Sequence, residues 1–230
     1  FGLIDHPIPI GSRFPLYAVV AADGAASLLR RRFFPDRRQY LAGLQVEVPL
    51  RQPLNRTIVA FDPRWRMGYA WLFPKIGVAN VGVGLQVGQQ PNGWKILDEV
   101  IRFFQEAGLI GSGVLARSIG AIVVSGPERR LTCGRIVFAG DAAGLTHPIT
   151  GAGIHQAVFS GRKAGEAAAD FVLTGKTSAW IEYEKEVLGR YGRTLAWALK
   201  KRKLQEEAWD TDDFPNLIRK TWMAYHEYRH

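Results

Sequence analysis

The sequence is poor in several features at once. A single cysteine, Cys133, in 230 residues leaves no internal disulfide framework and no cysteine-cluster metal site, a count that suits a reducing cytoplasm. No stretch of about 18 uncharged apolar residues exists, which excludes a helical membrane span. Internal repeats, low-complexity tracts and a signal peptide are absent, and the chain opens at Phe1 in strand-and-turn material, as the middle of a longer protein would. A Gly-x-Gly-x-x-Gly run is missing as well. Gly82-Val-Gly84 and Gly151-Ala-Gly153 both lack the third glycine, so no complete dinucleotide-binding loop of that kind is present.

What remains is an ordinary globular composition, 47% hydrophobic and 22% charged, enough for one large domain or two small ones. The balance is basic, with a formal net charge of +9, which points to an acidic partner or to a solvated surface. Part of the charge is local. Arg30, Arg31 and Arg32 are followed by Arg37 and Arg38, and Lys200, Lys201, Arg202 and Lys203 form a second run. There is no alternation of aromatic and basic residues and no zinc-finger spacing, so specific nucleic-acid recognition is not expected. The second run sits in helical text with Trp197, Leu199 and Leu204, a pattern that fits either a solvated face or peripheral docking on an anionic membrane.

Periodicity divides the chain. Leu16–Ala21 reads as a strand meeting a turn at Ala22-Asp23-Gly24, with one or two helical turns over Ala25–Arg32. Strand patterns follow over Leu44–Val48, Thr57–Phe61, Tyr69–Phe73 and Val78–Val87, a spacing that predicts an antiparallel meander. Trp94–Ala107 has helical spacing and closes at Gly108; Ile119–Val124 is another strand. Arg135–Ala139 is a buried-type strand, its loop runs from Gly140 to Gly153, and a helix of small residues runs from Ile154 to about Leu173. Beyond Thr177 the text is helical and charged to the end.

The chemistry concentrates in that loop. The strand delivers one carboxylate, Asp141, at its C-terminal end, the edge where open α/β sheets bind ligands. Gly140 permits a tight turn, Gly144 a close backbone approach, and Pro148 stiffens the loop. Gly151, Ala152, Gly153 and Ile154 leave nearly bare backbone where a helix begins, and free amides there suit a group that becomes anionic. His147 and His155 are near enough to tune such a group or to titrate, although a hydrogen-bonded spectator is the commoner role for a loop histidine. Cys133 reads as an inert thiol.

Three motifs carry a family resemblance. Gly140-Asp141-Ala-Ala-Gly144 with Pro148 and Gly151-Ala-Gly153-Ile154 resembles the second FAD-binding motif of glutathione-reductase-type flavoproteins. Ala22-Asp23-Gly24-Ala-Ala-Ser27-Leu-Leu-Arg30 resembles the Asp-Gly motif of hydroxylase and geranylgeranyl reductase flavoproteins, although turn and cap chemistry alone would also place Asp23 and Ser27 there. Gly68-Tyr69-Ala-Trp71-Leu-Phe73-Pro74-Lys75, followed by Asn80-Val-Gly82-Val-Gly84, resembles the Tyr-x-Trp-x-Phe-Pro segment of geranylgeranyl reductases. Flavin-dependent halogenases carry a similar segment, and Lys75 with the Val-Gly-Val-Gly strand favours the reductase side.

The resemblance implies an α/β (α+β) fold: a partial FAD-binding Rossmann-like domain interrupted by an antiparallel β-sheet substrate domain, with a C-terminal helical tail. The implied boundaries are 1–35 and 126–175 for the FAD-binding parts, 36–125 for the substrate domain and 176–230 for the tail. Asp23 and Gly24 would lie near the FAD pyrophosphate, Asp141 would hold the ribityl hydroxyls, and Gly151 to Ile154 would offer donors to the flavin's pyrimidine edge. Tyr69, Trp71, Phe73 and Pro74 would wall an apolar substrate pocket. The implied reaction reduces carbon–carbon double bonds of a polyprenyl lipid or quinone side chain, with FAD as cofactor and NAD(P)H or a ferredoxin-like protein as electron donor. No proton donor is assigned; Tyr69 is a candidate by position. The missing glycine-rich loop implies a truncated chain or a complementing N-terminal half. A flavin monooxygenase or halogenase, and a non-catalytic fragment or subunit, stay open as alternatives.

Overall fold

A computed structural model describes residues 8–9, 15–16, 18–34, 38–86 and 92–230. In chain order the elements are β1 (Ile8–Pro9), β2 (Pro15–Leu16), β3 (Val19–Ala21), α1 (Leu28–Phe33), β4 (Tyr40–Pro49), β5 (Ile58–Ala60), β6 (Ala70–Pro74), β7 (Val78–Gln86), α2 (Gly93–Glu106), β8 (Ala116–Val123), β9 (Thr132–Cys133), β10 (Ile136–Phe138), α3 (Ile154–Thr174), α4 (Ser178–Ala208) and α5 (Phe214–Thr221). Tyr17, Arg37 and Val87, which the sequence reading includes in its strand and basic runs, lie outside the described residues. The chain forms two compact units, one from Phe1–Gln39 and Val123–Arg202, the other from Tyr40–Ile122 and Lys203–His230.

The first unit is an α/β layer. Its sheet has the order β3-β10-β9, with β10 parallel to β3 (Val137 opposite Val20) and antiparallel to β9. Ile136, Val137 and Phe138 are fully buried because helices cover this short strand, as its unbroken apolar text requires. Ala164 and Ala167 of α3 and Trp180, Tyr183, Val187 and Leu195 of α4 complete the core. Two polar contacts pin α4 to the sheet. The Tyr183 hydroxyl donates to the Phe138 carbonyl (2.5 Å), and one Glu184 carboxylate oxygen accepts from the amides of Leu131 (2.7 Å) and Thr132 (2.9 Å).

The second unit is a five-stranded sheet in the order β5-β6-β7-β4-β8. It corrects the predicted meander: only β5, β6 and β7 pair consecutively, and the first strand, β4, returns antiparallel to β7, with Val46 opposite Val81. Alternation fixes each strand's inner face but carries nothing about which strand it pairs with. The amphipathic α2 lays Leu97, Val100 and Phe104 into the core with Val46, Leu72 and Val83. It begins at Asn92, whose side chain accepts from the Lys95 amide at 3.1 Å. No described helix is long and apolar enough to cross a membrane.

Candidate functional site

The first unit presents a glycine-lined cradle. After β10 the chain makes one tight turn over Gly140–Ala143, with Gly144 left-handed at φ +72°. The close approach that Gly144 permits is internal: a Cβ there would lie 2.5 Å from the Gly126 carbonyl oxygen. The Gly140 amide donates to Ser160 Oγ (2.9 Å), which ties the turn to α3. Asp141 Oδ1 accepts from Thr146 Oγ1 at 2.7 Å.

Two arginines hold the turn from behind. Arg38 donates to the carbonyls of Asp141 and Ala142, both at 2.7 Å, and pairs with Glu128 at 2.9 Å. Arg30 of α1 binds the same Glu128 and donates to the Phe34 carbonyl. The side chains of Arg30 and Arg38 are only 3% and 4% exposed, so this is a buried network whose members depend on one another. The sequence reading missed Arg38 and Glu128; the only local signal was a basic run, which usually marks a solvated surface.

Beyond the turn, residues 147–152 close on themselves. The His147 amide donates to the Ala152 carbonyl (2.8 Å), and the Gly151 amide donates to the His147 carbonyl (2.9 Å). His147 Nδ1 accepts from the Thr150 amide at 3.2 Å. Burial lowers the His147 pKa to about 4, so it is neutral near pH 7, in keeping with the hydrogen-bonded role that is the commoner one for a loop histidine. The Pro148 carbonyl accepts from Arg202 (3.2 Å). Arg202 and Lys201 are buried, which corrects the reading of Lys200–Lys203 as one basic surface; Lys200 and Lys203 alone are exposed. His155 is exposed and shares a 2.7 Å hydrogen bond with the Tyr191 hydroxyl.

A cavity of about 390 Å³ is lined by Gly24, Gly140, Asp141, Gly151, Gly153 and Ile154, with Ala22, Ala139, Ala157 and Gly161. It brings together six of the ten predicted cofactor residues. The other four are placed differently. Asp23 accepts from the Leu28 amide (3.0 Å) as Ser27 does from Arg30 (3.0 Å), which is cap chemistry for α1. Gly144 packs on backbone, Pro148 is buried, and Ala152 holds the loop through its carbonyl.

The cradle fits part of a flavin nucleotide. Gly153 begins the 21-residue α3 without a side-chain cap, and Gly153 and Ile154 both line the cavity. A Cβ on Gly153 would lie 3.1 Å from Asp141 Oδ1, narrowing the space next to the carboxylate. Small residues, one carboxylate and uncapped amides are the donor and acceptor set that a polyhydroxyl chain and an electron-rich ring edge need. The volume is near the lower end of ligand pockets, about 300–1,000 Å³.

The second unit carries the aromatic strand. Tyr69, Trp71 and Phe73 follow one another on one face, with ring centroids 5.7 and 5.9 Å apart. Trp71 lies opposite Gly82 in the β6–β7 register, and a Cβ on Gly82 would be 2.4 Å from the indole, so that glycine is where the indole sits. Trp71 Nε1 donates to Gln45 (3.1 Å), and Lys75 pairs with Glu47 (2.6 Å). Trp222, just past α5, stacks edge-on against Tyr69 (4.8 Å) and Phe61 (4.9 Å), a contact for which the sequence gives only the apolar spacing of the tail. Burial pushes Tyr69 up to about 12, so it stays a phenol at neutral pH.

The strand-turn-helix cradle and the inserted antiparallel sheet define the class: a mixed α/β chain with the FAD-binding Rossmann-type fold. The solved geranylgeranyl bacteriochlorophyll reductase-like protein of Thermoplasma acidophilum has this fold, with a TM-score of 0.72 at 24% identity over 90% of this chain and 60% of that one. CmlS, a flavin-dependent halogenase, shares it at a TM-score of 0.61 and 18% identity, covering 92% of this chain and 43% of that one. By sequence the chain is a relative of the geranylgeranyl-type reductases. It is 36% identical over 171 residues to digeranylgeranylglycerophospholipid reductase 1 of Methanopyrus kandleri (70% of this chain, 45% of the relative), and 34% identical over 148 residues to reductase 2 of that organism (61% and 37%). The chain thus spans less than half the length of these curated relatives. No protein-family model matches it.

Proposed function

We propose that the chain contributes the flavin-facing and substrate-facing parts of an FAD-dependent oxidoreductase that reduces carbon–carbon double bonds of a polyprenyl lipid. The observation that carries this is the cradle, in which Asp141, bare glycine backbone and the uncapped start of α3 surround one cavity. FAD, when bound, supplies the hydride chemistry. Asp141 holds ribityl hydroxyls, with Thr146 fixing one carboxylate oxygen so that the other is oriented. The first amides of α3 stabilise negative charge at the ring edge. The buried Arg30–Glu128–Arg38 network keeps the turn in place without touching the ligand.

Within the second unit, Tyr69, Trp71, Phe73 and Pro74 form an apolar wall for an alkene, which offers no polar handle and is recognised by shape and dispersion. Tyr69 keeps its proton and is the candidate acid on this strand. NAD(P)H or a ferredoxin-like protein would supply electrons, and a strand with a complete Gly-x-Gly-x-x-Gly loop, on the same or a separate polypeptide, would hold the AMP half. Peripheral contact with anionic membrane falls to exposed residues such as Lys203 and Leu204.

The test is flavin retention. FAD content and the visible spectrum are measured for the purified protein and for Asp141→Ala and Gly153→Val. Loss of a charge-assisted hydrogen bond, worth about 1.5–3 kcal/mol, should weaken retention roughly 10- to 100-fold in Asp141→Ala. Unchanged FAD content in both variants would sink the assignment, as would turnover of polyprenyl substrate that persists in a flavin-free preparation.

A further inference from the structure

Beyond α5 the second unit carries the run His226-Glu227-Tyr228-Arg229-His230. His-Glu-x-x-His is a spacing at which a helix can offer two imidazoles to one metal ion. Here His226–Arg229 forms a short 3-10 turn, and His230 lies just past it. With three residues per turn, side chains four positions apart would diverge by roughly 120° in a regular helix of this kind. The two rings nevertheless meet, with centroids 5.0 Å apart and planes inclined at 46°. Tyr228, between them in sequence, is buried and anchors the turn. Main-chain bonds close it: the amides of Tyr228 and His230 donate to the carbonyls of Tyr225 (3.3 Å) and Glu227 (3.4 Å). Both imidazoles are exposed, and neither has a hydrogen-bond or ion-pair partner among the described residues.

We propose that His226 and His230 together bind one late first-row divalent cation, zinc(II) or copper(II), through one ring nitrogen each. The ring separation supports this. With metal–nitrogen bonds of about 2.0–2.1 Å and ring centres about 1.2 Å behind the nitrogens, two imidazoles at near-tetrahedral angles place their centroids about 5 Å apart. The donors select the class of cation, since imidazole suits zinc and copper whereas magnesium and calcium take oxygen ligands. No group of three ligating side chains stands together among the described residues, so water completes the coordination and the site is open. Glu227 and Arg229, the exposed neighbours of the pair, carry opposite charges, so the cation does not meet an unbalanced basic surface. The pair shares no residue with the flavin cradle.

The full chain, cleared of metal with a chelator, is titrated calorimetrically with zinc(II), copper(II) and magnesium salts. Zinc and copper should each bind one per chain, copper more tightly, and magnesium should not bind. His226→Ala and His230→Ala should each weaken zinc by at least about tenfold, the least that loss of even an outer-shell partner of a metal-bound histidine costs. His155→Ala and Cys133→Ser should leave zinc binding unchanged, which separates the pair from the other exposed imidazole and from the thiol. Electron paramagnetic resonance of the copper-loaded protein should show two coordinated ring nitrogens in the wild type and one in each of the two alanine variants at the pair. Both substitutions are at exposed positions, and circular dichroism checks that the variants fold. An absence of saturable zinc binding overturns the site. So does wild-type affinity in either His226→Ala or His230→Ala, or loss of zinc in Cys133→Ser.

Discussion

The guanidinium of Arg38 donates to the main-chain carbonyl of Asp141 at 2.7 Å, 103 residues along the chain, and its second nitrogen reaches the next carbonyl. A cradle whose useful atoms are backbone amides needs its carbonyl side anchored, and a planar bidentate donor does this where a lysine cannot. Glu128, shared with Arg30, neutralises part of the charge.

Arg38→Met should therefore cost about 3–5 kcal/mol in urea unfolding, because it strips two carbonyls and one side of a buried ion network at once. Arg38→Lys should recover less than half of that. A loss under about 1 kcal/mol in either variant would show that the network is solvated.

His147 makes stability depend on pH. Its folded value of about 4 lies below the ordinary 6.5, so the unfolded chain binds the extra proton between those limits. Stability is complete above about pH 6.5 and falls as the pH drops toward 4, by on the order of 3 kcal/mol from this group. Comparing unfolding at pH 7 and pH 4.5 for the wild type and His147→Leu tests it; the variant should show a shallower decline, and parallel declines would refute the assignment.

Two glycines with similar positive φ should answer differently to alanine. At Gly24 (φ +76°) a Cβ meets open space, so Gly24→Ala carries only the backbone penalty of about 1 kcal/mol. At Gly144 it meets a carbonyl oxygen at 2.5 Å, and Gly144→Ala should lose at least about 2–3 kcal/mol more in thermal or urea unfolding. Equal losses would mean that the loop against Gly126 yields freely.

Removing Trp222 should expose Tyr69. Trp222→Ala deletes a ring that is 8% exposed and should cost about 3–5 kcal/mol. It should also bring the Tyr69 pKa down from about 12 toward 10, read by phenolate absorbance with Tyr69→Phe as the reference. No change in the titration would show that other neighbours desolvate the phenol.

The elements legible in the sequence were those set by local chemistry. Gly108 ends α2 at φ +71°, and Ile154 opens α3 at the position the glycine pattern marks. The inner face of each strand followed from alternation. Pairing did not, since the choice of β7 as the neighbour of β4 is made by core residues some 35 positions apart. Charge misled. Arg38, Lys201 and Arg202 carry the text of a surface, yet Arg38 pairs with Glu128, Lys201 lies over the Trp197 ring and Arg202 donates to the Pro148 carbonyl, all with little exposure. The turn over Gly140–Gly144 was readable because its positive φ values and close backbone approach exclude other residues; the Trp222 contact with Tyr69 was not, because nothing local specifies it.

The pairing of Trp71 with Gly82 sets a rule for how such sequences drift. The indole fills part of the volume that a side chain at position 82 would occupy, and the Leu44 carbonyl oxygen, 2.6 Å from the same Cβ, fills the rest. Position 82 is therefore closed on two sides, and making 71 small removes only one of them. The constraint on drift runs one way: 71 can shrink and leave a hole, whereas 82 stays glycine unless the neighbouring strand's backbone moves with it.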